Sequence, residues 1–479
     1  MDSMPHPRPQ PKYPVPMTPE NVQLIFSDAG DFNKRQIFVG PDRQEVWIFS
    51  VDGLVAAADI ADFVVKPLMS AREVLTAESA EKLLIYCTVA VTIPDMDTLV
   101  SLLVNGFCVV LLGESQAVAF ETKTPEKRSV SAPTVENTVK GAKDAFTETI
   151  RTNTSLLRRH LRSPELRLSQ QVVGRRSLTN VTVCSLAGIT DPEAVKLTEQ
   201  RLREIDIDGL LTPASVEEYL TGSRETAFPL LLYTERADRF AWGLLSGRVG
   251  VLVDGLPLGY LLPCGFSDFL KSPEDRNGNY LVASAIKLLR YLSLLVSLLL
   301  PGLFSAISLY HQEMIPTALL EAVVESRNAV PFTVGAEVLL LLIAFELLQE
   351  AGLHLPQNLG QAVSIIGGLV VGSAAVEAKL ISPTALIAVA AAGVCGYSLP
   401  QRDFADALRL WRFLIALGGL AAGFAGVTLM GLLLLAHLDG LKSLGIPYLR
   451  AEKPLLRPRL QEVPWRDLLL RPKNRRNQA

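Results

Sequence analysis

Cysteine is scarce in this chain, which carries five cysteines among its 479 residues. The five are scattered and form no Cys-x-x-Cys pair: Cys87, Cys108, Cys184, Cys264 and Cys395. A disulfide framework or a structural zinc site needs closely spaced, paired cysteines, so neither is expected. The sequence therefore predicts reduced, buried thiols and no metal site.

Catalytic patterns are also missing. The five histidines are isolated, and the chain contains no H-E-x-x-H, no G-x-S-x-G and no Walker A loop. A formal net charge of −3 gives no reason to expect a nucleic acid partner. We predict a protein that is not an enzyme, with no catalytic residue and no cofactor.

An apolar core is absent from the first twenty residues, which are instead rich in proline. This composition is typical of a disordered leader and not of a secretory signal. We therefore expect residues 1–20 to be unstructured and the large region that follows to remain in the cytosol.

Charge is absent from four long stretches near the C-terminus: Tyr291–Gln312, Ala351–Val376, Leu380–Gln401 and Phe413–Leu438. A helix needs roughly 20 apolar residues to cross a bilayer. The sequence predicts a membrane domain over 281–449, with spans at about 288–310, 359–378, 381–400 and 412–437. A shorter apolar segment predicts an amphipathic or re-entrant helix at about 333–350.

The region before this domain mixes charged and apolar residues and contains a weak internal sequence repeat. Leu102–Glu114 parallels Leu244–Leu256, and Val51–Val65 parallels Leu186–Gln200. We predict two related α/β lobes, 21–135 and 166–280, joined by a basic helical connector at 136–165. The alternative is that any α/β fold produces such similarities.

Orientation follows from the tail at 450–479, which is rich in arginine and lysine. The positive-inside rule places this tail in the cytosol. If the lobes are cytosolic too, the number of crossings is even, and four spans satisfy that condition. Five spans would put the tail outside and remain the second interpretation.

One predicted span carries a face of small and mildly polar residues at helical spacing: Gln361, Ser364, Gly368, Gly372 and Ala375. Such a face suits a pore wall or an interface between subunits, and ordinary helix packing inside one subunit is the alternative.

Two further features attract functional interpretations. Glu346 interrupts an apolar run, where a carboxylate is costly unless it meets water or a partner, so it is a pore candidate. A position at the membrane boundary is the alternative. Pro301 and Gly302 lie in the first span and are candidates for a hinge, or simply for a kink.

Ordered motifs along nearly the whole chain resemble the A-subunit family of GerA-type spore germinant receptors. The motifs are DAFTETIRTNTSLLRRHLRSPEL (144–166), GRRSLTNVTV (174–183), IDIDGLL (205–211), TERADRFAWGLLSGRVGVLVDGLP (234–257), HQEMIPTALL (311–320), GQAVSIIGGLVVGSAAVEAKLISP (360–383) and HLDGLKSLGIPYL (437–449).

The resemblance implies a multi-pass protein of the spore inner membrane that acts with a transporter-like B subunit and a lipoprotein C subunit. It also implies a homo-oligomer in membrane lipid that forms a nutrient-gated path for monovalent cations and triggers germination. The alternatives are an accessory scaffold subunit, or the stage V sporulation paralogue acting as a signal-amplifying channel without its own nutrient response.

Overall fold

The structure is a computed structural model that describes residues 12–27, 29–71, 74–83, 89–113, 116–123, 132–136, 138, 140–210, 212–222, 226–328, 330–353 and 372–449. The chain divides into two compact units. Among the described residues, the first unit contains those up to 222 together with 233–263, and the second contains 226–232 and 264–449.

The first unit is built on two five-stranded antiparallel sheets. The first sheet has strands β1 (Phe32–Val39), β2 (Gln44–Val51), β3 (Ala90–Ile93), β4 (Phe107–Leu112) and β5 (Gln116–Glu121). The second has β6 (Leu166–Val173), β7 (Thr179–Leu186), β8 (Leu232–Thr234), β9 (Val249–Val253) and β10 (Gly259–Leu262).

Both sheets have the same strand order. It is β1-β2-β4-β5-β3 in the first and β6-β7-β9-β10-β8 in the second. The parallel segments noted in the sequence hold corresponding positions, because one pair contains β4 and β9 and the other follows β2 and β7. The two lobes are therefore built on one plan.

Helices of the first unit flank the strands. They are α1 (Pro19–Ile25), α2 (Ala57–Asp59), α3 (Lys66–Met69), α4 (Ala77–Leu83), α5 (Met96–Val104), α6 (Ile150–His160), α7 (Pro192–Arg203), α8 (Pro213–Thr221) and α9 (Ala237–Leu245). A π-helical turn, Ile60–Val65, joins α2 to α3.

The central strand β4 is buried along its whole length because both faces of its sheet are covered. Val109 and Leu111 pack in one apolar cluster with α5, whereas Val110 and Leu112 pack in another with the 60–68 segment. Because both faces are buried, the sequence of β4 is a continuous apolar run and does not alternate between apolar and polar residues.

The strand that the apolar run Leu83–Val91 predicts is confirmed at Ala90 and Val91 and wrong at Leu83, and residues 84–88 lie outside the described residues. The helix α4 extends to Leu83, and β3 begins only at Ala90. The reason is local capping, since Thr76 Oγ1 accepts a hydrogen bond from the Ser79 amide (3.2 Å) and starts a helix there.

The connector helix α6 is held by both lobes. An Asp-Gly turn from each lobe contacts it, because Ser155 Oγ donates to the carbonyl of Gly53 (2.7 Å) and the Ile150 amide donates to Asp254 Oδ1 (2.9 Å). Elsewhere in the second lobe, Asp206 forms a bidentate pair with Arg175.

A buried ion pair completes this junction. Arg158 of α6 is 1% exposed and donates two 2.7 Å hydrogen bonds to the carboxylate of Asp31 in the first lobe. The same guanidinium donates to the carbonyl of Ser163 in the connector (2.9 Å) and to that of Leu166 at the start of the second lobe (3.0 Å). One side chain thus links the two lobes and the connector.

The second unit is helical. It contains α10 (Glu274–Asn277), α11 (Tyr280–Tyr310), α12 (Thr317–Arg327), α13 (Val334–Leu353), α14 (Pro383–Tyr397) and α15 (Arg402–Gly440), with residues 372–377 also helical. Short 3-10 segments lie at Phe266–Leu270 and Gln312–Met314, and a two-stranded β-ribbon pairs Lys442–Ser443 (β11) with Ile446–Pro447 (β12).

One end of this unit, here called the base, is an aromatic cluster. The ring of Phe404 stacks on Phe269 (centroids 5.5 Å apart) and lies near Phe228, and Tyr448 lies against Phe266, with its carbonyl accepting the Phe266 amide (3.0 Å). The chain therefore leaves α15 at the same end at which residues 264–270 lead into α11.

The opposite end, here called the tip, is a sharp corner in α15. Ala422 and Gly423 have non-helical backbone angles, and Gly423 has a φ of 56°. The Tyr310 hydroxyl donates to the carbonyls of Leu420 (2.9 Å) and Ala421 (3.2 Å), so the end of α11 reaches this corner.

The corner corrects the expected single span at 412–437. Residues 402–421 and 424–440 are two arms of a helical hairpin, because Gly418 lies against Gly426 and Trp411 lies near His437 (ring centroids 5.7 Å). A run of uncharged residues shows apolarity but not the place of a turn. The non-helical backbone of Ala422 and Gly423 marks it, and the positive φ of Gly423 favours glycine there.

We predict that Arg158→Ala lowers the free energy of unfolding of the first unit by about 3–5 kcal/mol, since it leaves Asp31 buried without a counter-charge. Hydrogen exchange of the strand amides measures this change. The control is Arg175→Ala, whose pair with Asp206 has the same bidentate geometry but is more than 60% exposed. It should cost less than about 1 kcal/mol. Equal effects of the two variants would contradict the prediction.

A second prediction concerns His160, whose Nε2 lies 2.6 Å from Asp144 Oδ2. The hydrogen bond raises the pKa of His160 and lowers the pKa of Asp144. The pair therefore stabilises fully between about pH 4 and pH 6.5. Its contribution falls as the pH rises through the raised pKa of His160, or drops through the lowered pKa of Asp144.

The measurement compares wild type with His160→Gln across the pH range. The stability difference should be largest near about pH 5–6 and should shrink as the solution becomes alkaline. A difference that grows above neutral pH would show that the pair is not the cause.

Candidate functional site

Glycine brings two helices of the second unit into backbone contact. A Cβ added to Gly419 would lie 2.4 Å from the carbonyl oxygen of Gly302, and one added to Gly302 would lie 2.9 Å from the carbonyl of Ile415. Neither site has room for a side chain. Helix α11 and the first arm of α15 therefore approach as closely as helices do at small-residue interfaces.

The hairpin also depends on glycine at the points where its two arms meet. A Cβ on Gly418 would lie 2.8 Å from the carbonyl oxygen of Gly426, and Gly423 at the corner packs against Tyr310 and His311. The two arms can lie side by side only because glycine occupies both contact positions. Gly419 and Gly423 have the spacing of a small-xxx-small packing pair, but they serve different contacts.

A charge cluster lies midway along α13 and the first arm of α15. Arg409 Nη1 donates to Glu346 Oε2 at 3.0 Å, Arg412 lies 3.6 Å from Glu346 Oε1, and Arg409 also pairs with Asp406. Arg412 is only 2% exposed, and its Nε and Nη1 make no hydrogen bond with the described residues. Glu346 therefore serves as the counter-charge of a buried arginine.

A second carboxylate is buried near the tip. Glu337, in the first turn of α13, is fully buried and accepts from the Ser382 amide (2.9 Å) and hydroxyl (2.5 Å). Arg327 at the end of α12 lies 3.6 Å from its other oxygen. These contacts fasten the start of α14 to the start of α13.

The remaining predicted site residues divide into two groups. Gly372 is buried, with its added Cβ 3.3 Å from Leu386, and Ala375 is half-buried. Pro301 lies within α11, where its carbonyl accepts from Ser305 Oγ (2.9 Å). Gln361, Ser364 and Gly368 lie outside the described residues. The pore and hinge roles of all these residues stay predictions.

Sequence reasoning missed the partners of the carboxylates. Asp406, Arg409 and Arg412 recur every three residues, so they share one helical face, and that spacing could have shown a charged stripe entering an apolar helix. Nothing in the sequence indicated that Arg158 pairs with Asp31, 127 residues away.

Among the described residues, no group of three or more metal-ligating side chains comes together. Two helices of the described chain, Leu281–Tyr310 and Arg402–Gly440, are long and apolar enough to cross a membrane by length and composition, and the second is the bent hairpin. The predicted helix at 333–350 is one continuous helix of 20 residues, Val334–Leu353. The predicted span at 381–400 is a helix of 15 residues.

These features define the class of protein, a duplicated α/β unit followed by an apolar helical unit. Residues 20–478 match the family described as Bacillus/Clostridium GerA spore germination protein. The chain belongs to this family, as its motifs indicated. The family is defined by spore germination and not by a known class of enzyme.

Relatives match over most of their length. Spore germination protein KA of Bacillus subtilis is 33% identical over 94% of this chain and 85% of that protein. The uncharacterized membrane protein YfkQ of the same organism is 32% identical over 95% and 90%. Spore germination protein GerLA of Bacillus cereus is 32% identical over 80% and 81%.

A solved structure also matches. It is the N-terminal domain of the A subunit of the Bacillus megaterium spore germinant receptor GerK3, with 28% identity and a TM-score of 0.41. The match covers 52% of this chain and 94% of that structure.

We predict that Gly419→Ala destabilises the second unit by about 1–3 kcal/mol, because the new methyl group meets the backbone of Gly302. Thermal unfolding in detergent measures the effect. Gly431→Ala is the matched control in the same helix, since nothing lies within 4 Å of its added Cβ. It should be neutral or stabilise by up to about 1 kcal/mol. A Gly431→Ala protein less stable than Gly419→Ala would refute the packing argument.

A further prediction concerns Glu346→Gln. This change leaves Arg412 buried without its counter-charge and should destabilise the second unit by about 3 kcal/mol. The double variant with Arg412→Met should recover most of the loss, because the uncompensated charge is gone. Unfolding in detergent provides the comparison, and a Glu346→Gln protein as stable as wild type would count against the pairing.

Proposed function

We propose that this chain is the membrane A-type subunit of a spore germinant receptor and that it oligomerises to form a nutrient-gated path for monovalent cations. The membership of the GerA family over residues 20–478 carries the proposal. On this proposal the protein lies in the inner membrane of the spore and acts with a transporter-like B subunit and a lipoprotein C subunit.

The surface of the helical unit supports a lipid environment. Large aliphatic side chains are exposed on α11, α14 and both arms of α15, where water would disfavour them. They include Leu281, Val282, Ile286, Leu289, Leu292, Ile387, Val394, Leu410, Leu417, Leu429, Leu432 and Leu435. Contact with lipid chains is favourable for these side chains, whereas contact with water is not.

The path of the chain supports an even number of crossings. The helical unit begins and ends at the base, because α11 follows residues 264–270 and Tyr448 returns to them. Both flanking regions would then lie on one side of the membrane, which the basic tail identifies as the cytosol. Helix α13 would add one crossing to the four expected, and the hairpin would replace one expected crossing by two. The number of crossings would therefore rise by two and remain even.

The cation path itself is assigned to the small-residue face that includes Gly372 and Ala375. Glu346 is a weaker candidate than its sequence context suggested, because Arg409 and Arg412 already neutralise it. A ring of such carboxylates would attract cations only if those pairs opened.

The test is reconstitution of the purified oligomer, with its partner subunits, in liposomes loaded with potassium. Addition of a defined mixture of amino acids and sugars should release the potassium. Gly372→Leu should abolish release, because the added side chain meets Leu386 and alters the proposed wall. Gly431→Ala is the control and should conduct as wild type does.

An accessory scaffold is the second candidate, and the pairing of Glu346 is the observation that favours it. A scaffold would hold the B and C subunits and conduct nothing. Absence of potassium release with and without the partner subunits, from an oligomer that still binds them, would support the scaffold and end the channel proposal.

A further inference from the structure

A cavity of about 250 Å³ lies near the tip, between the end of α11 and helix α12. Its polar side is formed by Ser308, Gln312, Arg327 and Asn328, and its apolar side includes Leu320 and Val323. A concave site with an aliphatic wall and a few convergent polar groups is the usual form of a small-molecule site.

Arg327 gives the cavity a positive group that is not fully engaged. Its Nε is buried and makes no hydrogen bond with the described residues. Its nearest carboxylate oxygen, on Glu337, is 3.6 Å away, which is longer than a hydrogen bond. The other oxygen of Glu337 is occupied by Ser382. Arg327 also lines the cavity, and the terminal N–H groups of its guanidinium can donate to a second oxyanion there.

One carboxylate, that of Glu337, lies beside Arg327, but it accepts two hydrogen bonds from Ser382 and does not line the cavity. Helix α12 carries two carboxylates, Glu321 and Glu325, but both are exposed and neither lines the cavity. The amide groups of Gln312 and Asn328 add further donors. Gln312 Nε2 already donates to the Ser308 carbonyl at 2.8 Å, so Asn328 is the freer of the two.

We propose that this cavity binds an oxyanion attached to a short aliphatic chain. The guanidinium of Arg327 would hold the oxyanion, a geometry that suits carboxylate and phosphate alike. The aliphatic side, with Leu320 and Val323, would cover the chain. A volume of about 250 Å³ lies below the range for drug-sized ligands, so the occupant is small or enters only in part.

Two sources could supply this chemistry. One is a free branched carboxylate, which would fit entirely within the cavity. The other is the headgroup of an anionic phospholipid, whose phosphate would meet Arg327 while most of its chains remained outside. Neither source depends on cation conduction, so this proposal and the channel proposal can fail separately.

The experiment uses the full-length protein in a neutral detergent. In the first arm, 4-methylpentanoate is titrated and binding is followed by saturation-transfer NMR, with 4-methylpentanol as the uncharged control ligand. In the second arm, phosphatidylglycerol is compared with phosphatidylcholine by native mass spectrometry. Binding in the first arm identifies a free carboxylate, and selective retention of phosphatidylglycerol in the second identifies a lipid headgroup.

Three variants decide whether binding occurs in this cavity. Arg327→Gln removes the charge and should weaken binding at least about tenfold. Val323→Phe fills the apolar side while leaving Arg327 and Glu337 in place, so it tests the site even if Arg327→Gln fails to fold. Arg402→Gln removes an exposed arginine of α15 outside the cavity and should bind as wild type does.

The proposal is overturned if neither ligand binds, or if the alcohol binds as tightly as the carboxylate. It is also overturned if Val323→Phe binds as wild type does. Loss of binding in Arg402→Gln equal to that in Arg327→Gln would show a general surface-charge effect, which likewise removes the site.

Discussion

Backbone contact between Gly302 and Gly419 is the constraint on which the helical unit depends. The carbonyl of one glycine fills the space where the other would carry a side chain, so α11 and the first arm of α15 are separated by little more than their backbones. Close approach increases dispersion contacts, which act in lipid as well as in water. The tip follows from this contact, because Tyr310 reaches the Leu420 carbonyl only when the helices lie this close.

Paired charge is the second constraint, and it appears in both units. Arg158 with Asp31, and Arg412 with Glu346, are arginines almost entirely removed from water beside a carboxylate from a distant segment. Such pairs add little net stability compared with apolar residues of similar size, but loss of one partner is severe. They therefore specify which segments meet. We infer that Arg158 helps to specify the arrangement of the lobes and that Arg412 helps to specify the contact of α15 with α13.

The sequence was sufficient for much of the architecture but not for its turns and partners. The apolar runs and the Asn105-Gly106 turn predict a helix over Asp95–Val104 and a strand over Phe107–Leu112, and the structure has them at Met96–Val104 and Phe107–Leu112. The duplicated plan was visible in the echo between Leu102–Glu114 and Leu244–Leu256. The hairpin was not, because glycine in an apolar helix signals packing and turning equally. Long-range partners such as Asp31 leave no local pattern at all.

The junction at α6 makes each lobe of the duplicated unit depend on the other. Each lobe contributes a turn that contacts the connector, and the guanidinium of Arg158 donates to a carboxylate of the first lobe and to the Leu166 carbonyl of the second. A chain cut before α6 would leave Asp31 without Arg158, and a chain cut after α6 would leave Arg158 without the Leu166 carbonyl. We therefore expect a movement of one lobe to be transmitted to the other through α6.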